Sequence, residues 1–582
     1  MSENIDLKSL FLNPDSKKQK QYEAVRAFVI DKLSAQQVAN KFGYKLSSVY
    51  TFIKKTKSGE IDFFPRQKMG PKQRQVSFGV QKQIFIYRNQ NLSHTDISER
   101  LNKDGIVISA QTVSRILIDA GFPKLKRRSN KELGLTSKNK IIPEKSEILD
   151  FDKLKKFQID TPAIGVFFFL PYIIESGIID IVKKSKLPGS SAIGSVQACL
   201  SMLVLKLIGN ERLSHMESYD KEIGLGVFAG LNVLPKNTYM STYSCLSSTE
   251  MILDFQKQIV GSLKQKYPLL YNGNYINLDF HSIPHYGDLS EMEKVWCGAK
   301  NKTMKGADTV IAQDAQSNMV LYTRADILRK DESQEVLKFV DYWKQVNGTV
   351  TQTLVFDCKF TKYEVLDELD NDNVKFITLR KRNKKLIDEI LDVPDEEWTK
   401  VNLSIPKRKY QKVSVYEQKV KLSKCKNEFR QIAVKDHGRN KPTLIITNDF
   451  NISLKSILEV YAKRWRVENK LAELVAFFNM NALSSPLMIR IHFDILWTMI
   501  ADTLYHIFAQ DLHRFEKNLA PTIFKKFINI PGKVIYDGDK FVIKIRKRAH
   551  TPILKDVVKL QKPIIVPWLD NKKLEIIWTP EY

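Results

Sequence analysis

Residues 274–288 read NYINLDFHSIPHYGD, and most of this stretch alternates between apolar and polar side chains. Two opposite faces result, formed by Ile276, Leu278 and Phe280 on one side and by Asn277, Asp279 and His281 on the other. Strict alternation is the period of a β-strand with one buried face. The segment therefore predicts a strand that presents the Asp279 carboxylate on its polar face.

The patterns that follow this strand have a definite order. They predict first a hairpin over 308–326 that turns near 316–318, and then an amphipathic helix over 332–346. A buried β segment lies within 353–360, and its strand ends at Asp357. A helix from Thr361 with a capping box to Glu364 and a strand over 374–380 follow. This order of elements, which is three strands, a helix, a strand, a helix and a strand, is similar to that of a ribonuclease-H-like fold. That resemblance implies neighbouring first and fourth strands, so that Asp279 and Asp357 lie side by side.

A third acid comes from a later helix in such folds. The segment YAKRWRVENK (461–470) contains neither Gly nor Pro, and helical spacing places Tyr461, Arg464 and Glu468 on one stripe. Three carboxylates suit two Mg²⁺ ions, or Mn²⁺, that drive phosphoryl transfer on DNA. The alternatives are that this segment is an ordinary exposed helix face, that the aspartates are structural, or that Asp279, His281 and His285 bind zinc.

The segments LDFHSIPHYGD, LVFDCKF and YAKRWRVENK together resemble the three acidic motifs of bacterial DDE insertion-sequence transposases. The closer resemblance is to the subgroup with a Tyr-Arg-Glu-Lys signature and a β-rich insertion before the Glu helix. It implies Asp279, Asp357 and Glu468 as catalytic metal ligands, with Tyr461 and Arg464 near DNA phosphates. It also implies a hairpin intermediate whose flipped end the insertion shields. The sequence departs from the signature at Val475, where the resemblance implies Lys.

The N-terminal quarter has two segments with the layout of a helix-turn-helix. In residues 33–55, Ser34 and Gln37 predict a capping box, Gly43 a turn and Ser47 the cap of a second helix. Residues 92–121 repeat the plan, with a Ser93–Asp96 box, a turn near Gly105 and a cap at Ser109. The residues expected to face DNA are Ser48, Thr51 and Lys54 in the first unit and Gln111, Thr112 and Arg115 in the second.

Charge favours a polyanionic partner. The chain of 582 residues has a formal net charge of +27, and residues 1–140 alone hold 27 Lys/Arg against 12 Asp/Glu. The basic segments 63–75 and 123–132 extend this excess. Such a surplus predicts double-stranded DNA as the partner rather than a membrane, although a basic surface can also simply be well solvated.

Length and composition predict several domains of mixed α/β class. The predicted ranges are a first helix-turn-helix at 1–60, a basic linker and second helix-turn-helix at 61–149, an all-α region at 150–270, a ribonuclease-H-like catalytic domain at 271–384 and 450–515, a β-strand insertion at 385–449, and a C-terminal accessory region at 516–582. The five cysteines include no CxxC pair, and the most apolar run, 163–174, is short and contains Pro171. These features predict a cytoplasmic, nucleoid-associated protein.

The sequence thus predicts a DNA transposase that binds terminal inverted repeats as a homodimer and joins its element ends to target DNA. Two alternatives remain at this level. One is a DNA-binding regulator that keeps a transposase scaffold without its chemistry, and the other is a metal-dependent nuclease without strand transfer.

Overall fold

The computed structural model describes residues 16–64, 76–90, 92–123, 125, 145–210, 216, 218–219, 221–287, 292–325, 327–405, 410–482 and 487–580. Most of the predicted basic segments 63–75 and 123–132 lie outside the described residues. The chain divides into two compact units, Met1–Glu144 and Lys145–Tyr582.

The first unit is helical in its described part. Its helices are α1 (Lys17–Val29), α2 (Ala35–Phe42), α3 (Leu46–Lys57), α4 (Phe78–Asn89), α5 (His94–Lys103) and α6 (Ala110–Asp119). The capping boxes at Ser34 and Ser93 are both formed, as the sequence predicts. Gly43 has a φ of 65°, a left-handed conformation that Gly adopts without steric cost and that ends α2. The predicted Ser47 cap is wrong, because α3 begins two residues earlier, after Lys45.

A ten-stranded sheet organises the second unit. Its strands are β2 (Tyr275–Pro284), β3 (Lys294–Cys297), β4 (Lys302–Asp314), β5 (Val320–Arg324), β6 (Thr353–Phe356), β7 (Phe376–Leu379), β8 (Thr399–Asn402), β9 (Lys412–Lys421), β10 (Glu428–Lys435) and β11 (Thr443–Thr447). The order is β3-β4-β2-β6-β7-β11-β10-β9-β8, and β5 pairs with β4.

Five of these strands have the order β5-β4-β2-β6-β7, in which β6 and β7 run parallel and β4 runs antiparallel to β2. This is the strand order of the ribonuclease-H-like fold, and β2 and β6 are central neighbours as the resemblance implied. The strands of the predicted insertion continue the same sheet, because β11 pairs with β7 through Thr447 and Ile377.

Helices cover this sheet and complete the second unit. They are α7 (Leu170–Glu175), α8 (Ile178–Lys184), α9 (Ser195–Leu207), α10 (Ile223–Ala229), α11 (Asn237–Tyr243), α12 (Thr249–Lys266), α13 (Glu335–Asn347), α14 (Tyr363–Asn371), α15 (Lys384–Leu391), α16 (Leu454–Lys463), α17 (Arg466–Ala476), α18 (Met488–Gln510), α19 (Ala520–Ile523), α20 (Thr551–Asp556) and α21 (Val558–Gln561). The Thr361 capping box is wrong, since Lys362 precedes α14 and the Thr361 hydroxyl instead donates to the Leu379 carbonyl.

A second sheet forms from distant parts of the chain. It contains β1 (Phe157–Thr161), β12 (Gly532–Tyr536), β13 (Phe541–Arg546), β14 (Ile564–Val566) and β15 (Lys572–Thr579). The region 150–270 is therefore not entirely helical, which corrects the prediction. The strand was missed because its ladder partner, β12, lies more than 370 residues away. Strands β12 and β13 are antiparallel neighbours joined by a short turn between Tyr536 and Phe541.

Apolar side chains from both sheets and from α18 form one continuous core. Among the described residues, no single helix is long and apolar enough to cross a membrane, although the bent pair Ile164–Glu175 and Ile178–Lys184 passes by length and composition. Phe167, Phe168 and Phe169 of that pair are fully buried in the core.

Candidate active site

Asp279 and Asp357 lie next to each other across two parallel strands. The register pairs Leu278 with Phe356, so the two aspartates occupy the next positions along β2 and after β6. One carboxylate oxygen of Asp279 accepts from the Phe280 amide at 2.9 Å, and one of Asp357 accepts from the Cys358 amide at 2.5 Å. The tertiary structure therefore brings together the two acids that the sequence placed on separate strands.

Asp279 is held in a protected environment. Its side chain is 14% exposed, and burial raises the pKa of its carboxyl. The positive charge of Arg464 opposes that rise, whereas the nearby Asp357 adds to it. A buried carboxylate with a second carboxylate beside it favours a neighbouring cation.

Arg464 supplies that cation. Its guanidinium donates to Asp279 Oδ2 at 2.7 Å and to Glu468 Oε1 at 3.3 Å, so it lies between two of the three predicted acids. Burial lowers the pKa of Arg464, but Asp279, Tyr461 and Asp357 together more than reverse this effect. The guanidinium also lies 5.9 Å from the centre of the Tyr461 ring.

The segment 461–470 is not one helix. Helix α16 ends at Lys463, Arg464 and Trp465 form a turn, and α17 begins at Arg466. Glu468 therefore lies in the first turn of α17, where the positive end of the helix dipole favours a carboxylate. Its side chain is 60% exposed. The predicted stripe is wrong as a continuous helix face, but the Arg464–Glu468 contact that it implied is present.

The signature lysine is replaced by Val475, and the nearby Lys470 does not take its place. Val475 is half-buried and packs against the core. Lys470 is buried and pairs with Glu473 at 2.9 Å and with Asp502 at 2.9 Å, so it joins α17 to α18. Neither position presents a free ammonium group beside the acids.

A cavity of about 680 Å³ opens beside Asp357. It lies between the strands of the predicted insertion and the α16–α17 turn, and its lining includes Leu403, His437, Arg439, Tyr461, Arg464 and Trp465. Apolar and aromatic walls with a basic rim suit part of a nucleotide. Trp465 was not among the predicted site residues, although it adjoins Arg464 and is 47% exposed.

The donor chemistry fits divalent ions. Carboxylate oxygens are the hard ligands that Mg²⁺ and Mn²⁺ prefer. In the described part of the chain, however, no three His, Cys, Asp or Glu side chains are grouped closely enough to hold a metal as they stand. At this site, Arg464 occupies one Asp279 oxygen. His281 instead lies 2.8 Å from the Asn481 amide oxygen.

The helices of the first unit carry the other predicted contact residues. Thr51, Lys54, Gln111 and Arg115 are exposed, and Ser48 and Thr112 are half-buried. Thr112 is partly committed to its own helix, since its amide and hydroxyl both contact the Ser109 hydroxyl.

Comparison with known proteins agrees with this geometry. Residues 276–503 match the family described as transposase DDE domain, a range that includes all three predicted acids. The site therefore belongs to a DDE domain. By enzyme class, the chain is a DDE transposase. Enzymes of this class use divalent metal ions, which suit the carboxylate donors of this site.

Other comparisons are more distant, and no curated protein matches. A piggyBac transposase synaptic complex with hairpin DNA is similar at 11% identity, over 66% of this chain and 84% of that chain, with a TM-score of 0.34. A pre-cleavage Mos1 transpososome and a Mos1 paired-end complex with Mn are similar at 10% and 12% identity, over 62% of this chain and 77% of theirs, each with a TM-score of 0.13. The assignment rests on the family match.

Proposed function

We propose that this transposase binds the terminal inverted repeats of its element, cleaves the DNA there and joins the freed ends to target DNA. The observation that carries the proposal is the adjacency of Asp279 and Asp357, with Arg464 bound between Asp279 and Glu468. An acid held by an internal cation can exchange that cation for a metal ion when a phosphate is available to the arginine.

Asp279, Asp357 and Glu468 would hold two Mg²⁺ ions, or Mn²⁺. When bound, such ions activate the attacking oxygen and stabilise the leaving one. Arg464 would turn from Asp279 to a DNA phosphate, which offers a bidentate partner of similar geometry. Tyr461 would support the guanidinium from its present position beside it.

The chemistry balances without a further reactant. In cleavage, a water oxygen bonds to the scissile phosphorus, and the bond to the 3′ oxygen breaks to leave a 3′-hydroxyl and a 5′-phosphate. In joining, that 3′-hydroxyl bonds to a target phosphorus while another 3′ oxygen leaves with the proton. The second step exchanges one phosphodiester bond for another.

Recognition of the element ends would fall to the first unit. Helix α3 carries Ser48, Thr51 and Lys54, and α6 carries Gln111, Thr112 and Arg115, in positions that suit base edges and phosphates. Two ends must be joined, so a homodimer on DNA is expected, within the nucleoid of a bacterial cytoplasm. The cavity beside Asp357 supports a hairpin intermediate, since it could receive a flipped nucleotide.

The test is a cleavage and joining assay on duplex DNA taken from the flank of the reading frame, with Mg²⁺ or Mn²⁺. Asp279→Asn, Asp357→Asn and Glu468→Gln should each lower both steps at least about 1,000-fold, because each removes a charged ligand. Asp395→Asn is the matched control, since that carboxylate is 92% exposed and pairs with Lys435 on β10.

The outcomes separate the alternatives. Metal-dependent joining that is lost in the three variants and kept in the control supports the transposase mechanism. Tight binding without cleavage by the wild type would favour the regulator. Cleavage without joining of pre-cut ends to a plasmid would favour the nuclease.

A further inference from the structure

A two-stranded ribbon extends the sheet beyond the end of the catalytic strand β2. Strand β2 pairs with β4 as far as Pro284 and Gly306, and residues Lys302–Lys305 of β4 continue onward paired with β3. This ribbon was not among the predicted elements. Its signals were the alternation in KVWC and the GAKN turn, where Asn301 has a φ of 48°.

The register fixes which side chains share the face of Asp279. Asp279 is opposite Ile311 on β4, and every second residue back along β4 points the same way. Thr303 and Lys305 belong to this set, and they are opposite Trp296 and Lys294 on β3. Trp296 and Lys294 therefore lie on the same sheet face as Asp279, about 20–26 Å farther along the strand direction at 3.3 Å per residue.

Packing within the ribbon does not explain its exposed residues. Val295 and Cys297 are buried, whereas the Trp296 side chain between them is 59% exposed. Lys294 and Lys300 are also exposed, and in the described part of the chain no carboxylate pairs with either of them.

Exposed lysines around an exposed indole match the chemistry of nucleic acid, since phosphates bind the ammonium groups and a base or sugar packs on the ring. A two-stranded antiparallel ribbon also fits a DNA groove. A second copy of the same ribbon is a poorer partner, because a twofold contact would place these unpaired lysines against themselves. We call Lys294, Trp296 and Lys300 the ribbon patch.

We infer that the ribbon patch binds the duplex DNA that leads away from the scissile phosphate. The inference rests on the proposed function, since it assumes that DNA lies at Asp279. The estimated separation corresponds to roughly six to eight base pairs at 3.4 Å each. The patch would hold the duplex in line with the acids.

The test compares Lys294→Glu with Lys400→Glu in the full-length protein. Lys400 is an exposed lysine on β8, the opposite edge strand of the same sheet, so both variants change the net charge equally. Binding to a 30-base-pair duplex from the flank of the reading frame, and to one of random sequence, is measured between 50 and 300 mM NaCl. Lys294→Glu should bind both duplexes roughly five- to tenfold more weakly with a shallower salt dependence, and Lys400→Glu should match the wild type.

A second pair of variants tests the indole. Trp296→Ala should remove hydroxyl-radical protection roughly six to eight base pairs from the scissile phosphate, and Trp296→Phe should keep most of it. If Lys294→Glu and Trp296→Ala both match the wild type in binding and protection, the inference is overturned. It is also overturned if Trp296→Ala changes only self-association in sedimentation. A wild type that neither cleaves nor joins DNA would instead reject the proposed function.

Discussion

Arg464 and Asp279 form an ion pair of 2.7 Å in which both side chains are only 14% exposed. The pair joins the α16–α17 turn to the central strand of the sheet, and the same guanidinium reaches Glu468 at 3.3 Å. The Arg464 guanidinium thus binds a carboxylate oxygen of Asp279 that a divalent ion would need as a ligand. Metal binding and phosphate binding should therefore be coupled through this arginine.

The first prediction concerns this competition. Arg464→Gln should bind Mn²⁺ roughly 3- to 10-fold more tightly than the wild type in the absence of DNA, because a competing ion pair worth about 1 kcal/mol is removed. The measurement is Mn²⁺ titration by electron paramagnetic resonance at pH 8, since a high pH favours the ionised form of the Asp279 carboxyl, whose pKa burial raises. Arg466→Gln is the control, since Arg466 donates to the Ala315 carbonyl instead. Equal affinities in all three proteins would contradict the competition.

The second prediction concerns acid stability. Burial lowers the pKa of His492 to about 3 and that of His506 to about 4. The unfolded chain binds these protons near pH 6.5, so stability is complete above that pH and falls as the pH drops toward the folded values. Each histidine should remove about 2 kcal/mol at pH 5, at 1.36 kcal/mol per pH unit. His506→Phe should flatten the fall of the apparent Tm between pH 7 and 5, whereas His513→Phe, at an exposed site, should leave it unchanged.

The third prediction concerns the buried cluster on α17. Although burial disfavours its charge, Asp502 and Glu473 raise the pKa of Lys470. Lys470→Met would leave two buried carboxylates without a cation and should cost about 3–5 kcal/mol, measured as a lower apparent Tm or urea midpoint. Lys517→Met, at an exposed position, serves as the control. A fall of less than about 1 kcal/mol would show that the carboxylates find another partner or take up a proton.

The fourth prediction separates a true cap from an apparent one. Ser93→Ala should destabilise α5 by about 1 kcal/mol, because the Ser93 hydroxyl accepts from the Asp96 amide. Ser47→Ala should cost less than about 0.5 kcal/mol, since Ser47 lies within α3 and not before it. Hydrogen exchange of the helix amides in the full-length chain measures both. Equal losses at the two sites would contradict the observed start of α3.

Much of the site was predictable because its signals are local. The alternation around Asp279, the strand before Asp357 and the i to i+4 spacing of Arg464 and Glu468 depend on neighbouring residues. The capping boxes of α2 and α5 are equally local, since each is complete within four residues. Such patterns follow from helix and strand periods and need no knowledge of distant partners.

Other features depend on contacts that no local pattern encodes. The ten-stranded sheet, the pairing of Phe157 with Tyr536 and the burial of Lys470 against Asp502 each join distant segments. The turn at Arg464 contains no helix breaker, yet it directs the guanidinium to Asp279, 185 residues earlier. The sequence by itself determined which acids could act and on which elements they lie. Only the tertiary structure decided that Arg464 forms an ion pair with Asp279, because an ion pair between distant segments outweighs a weak local preference for helix.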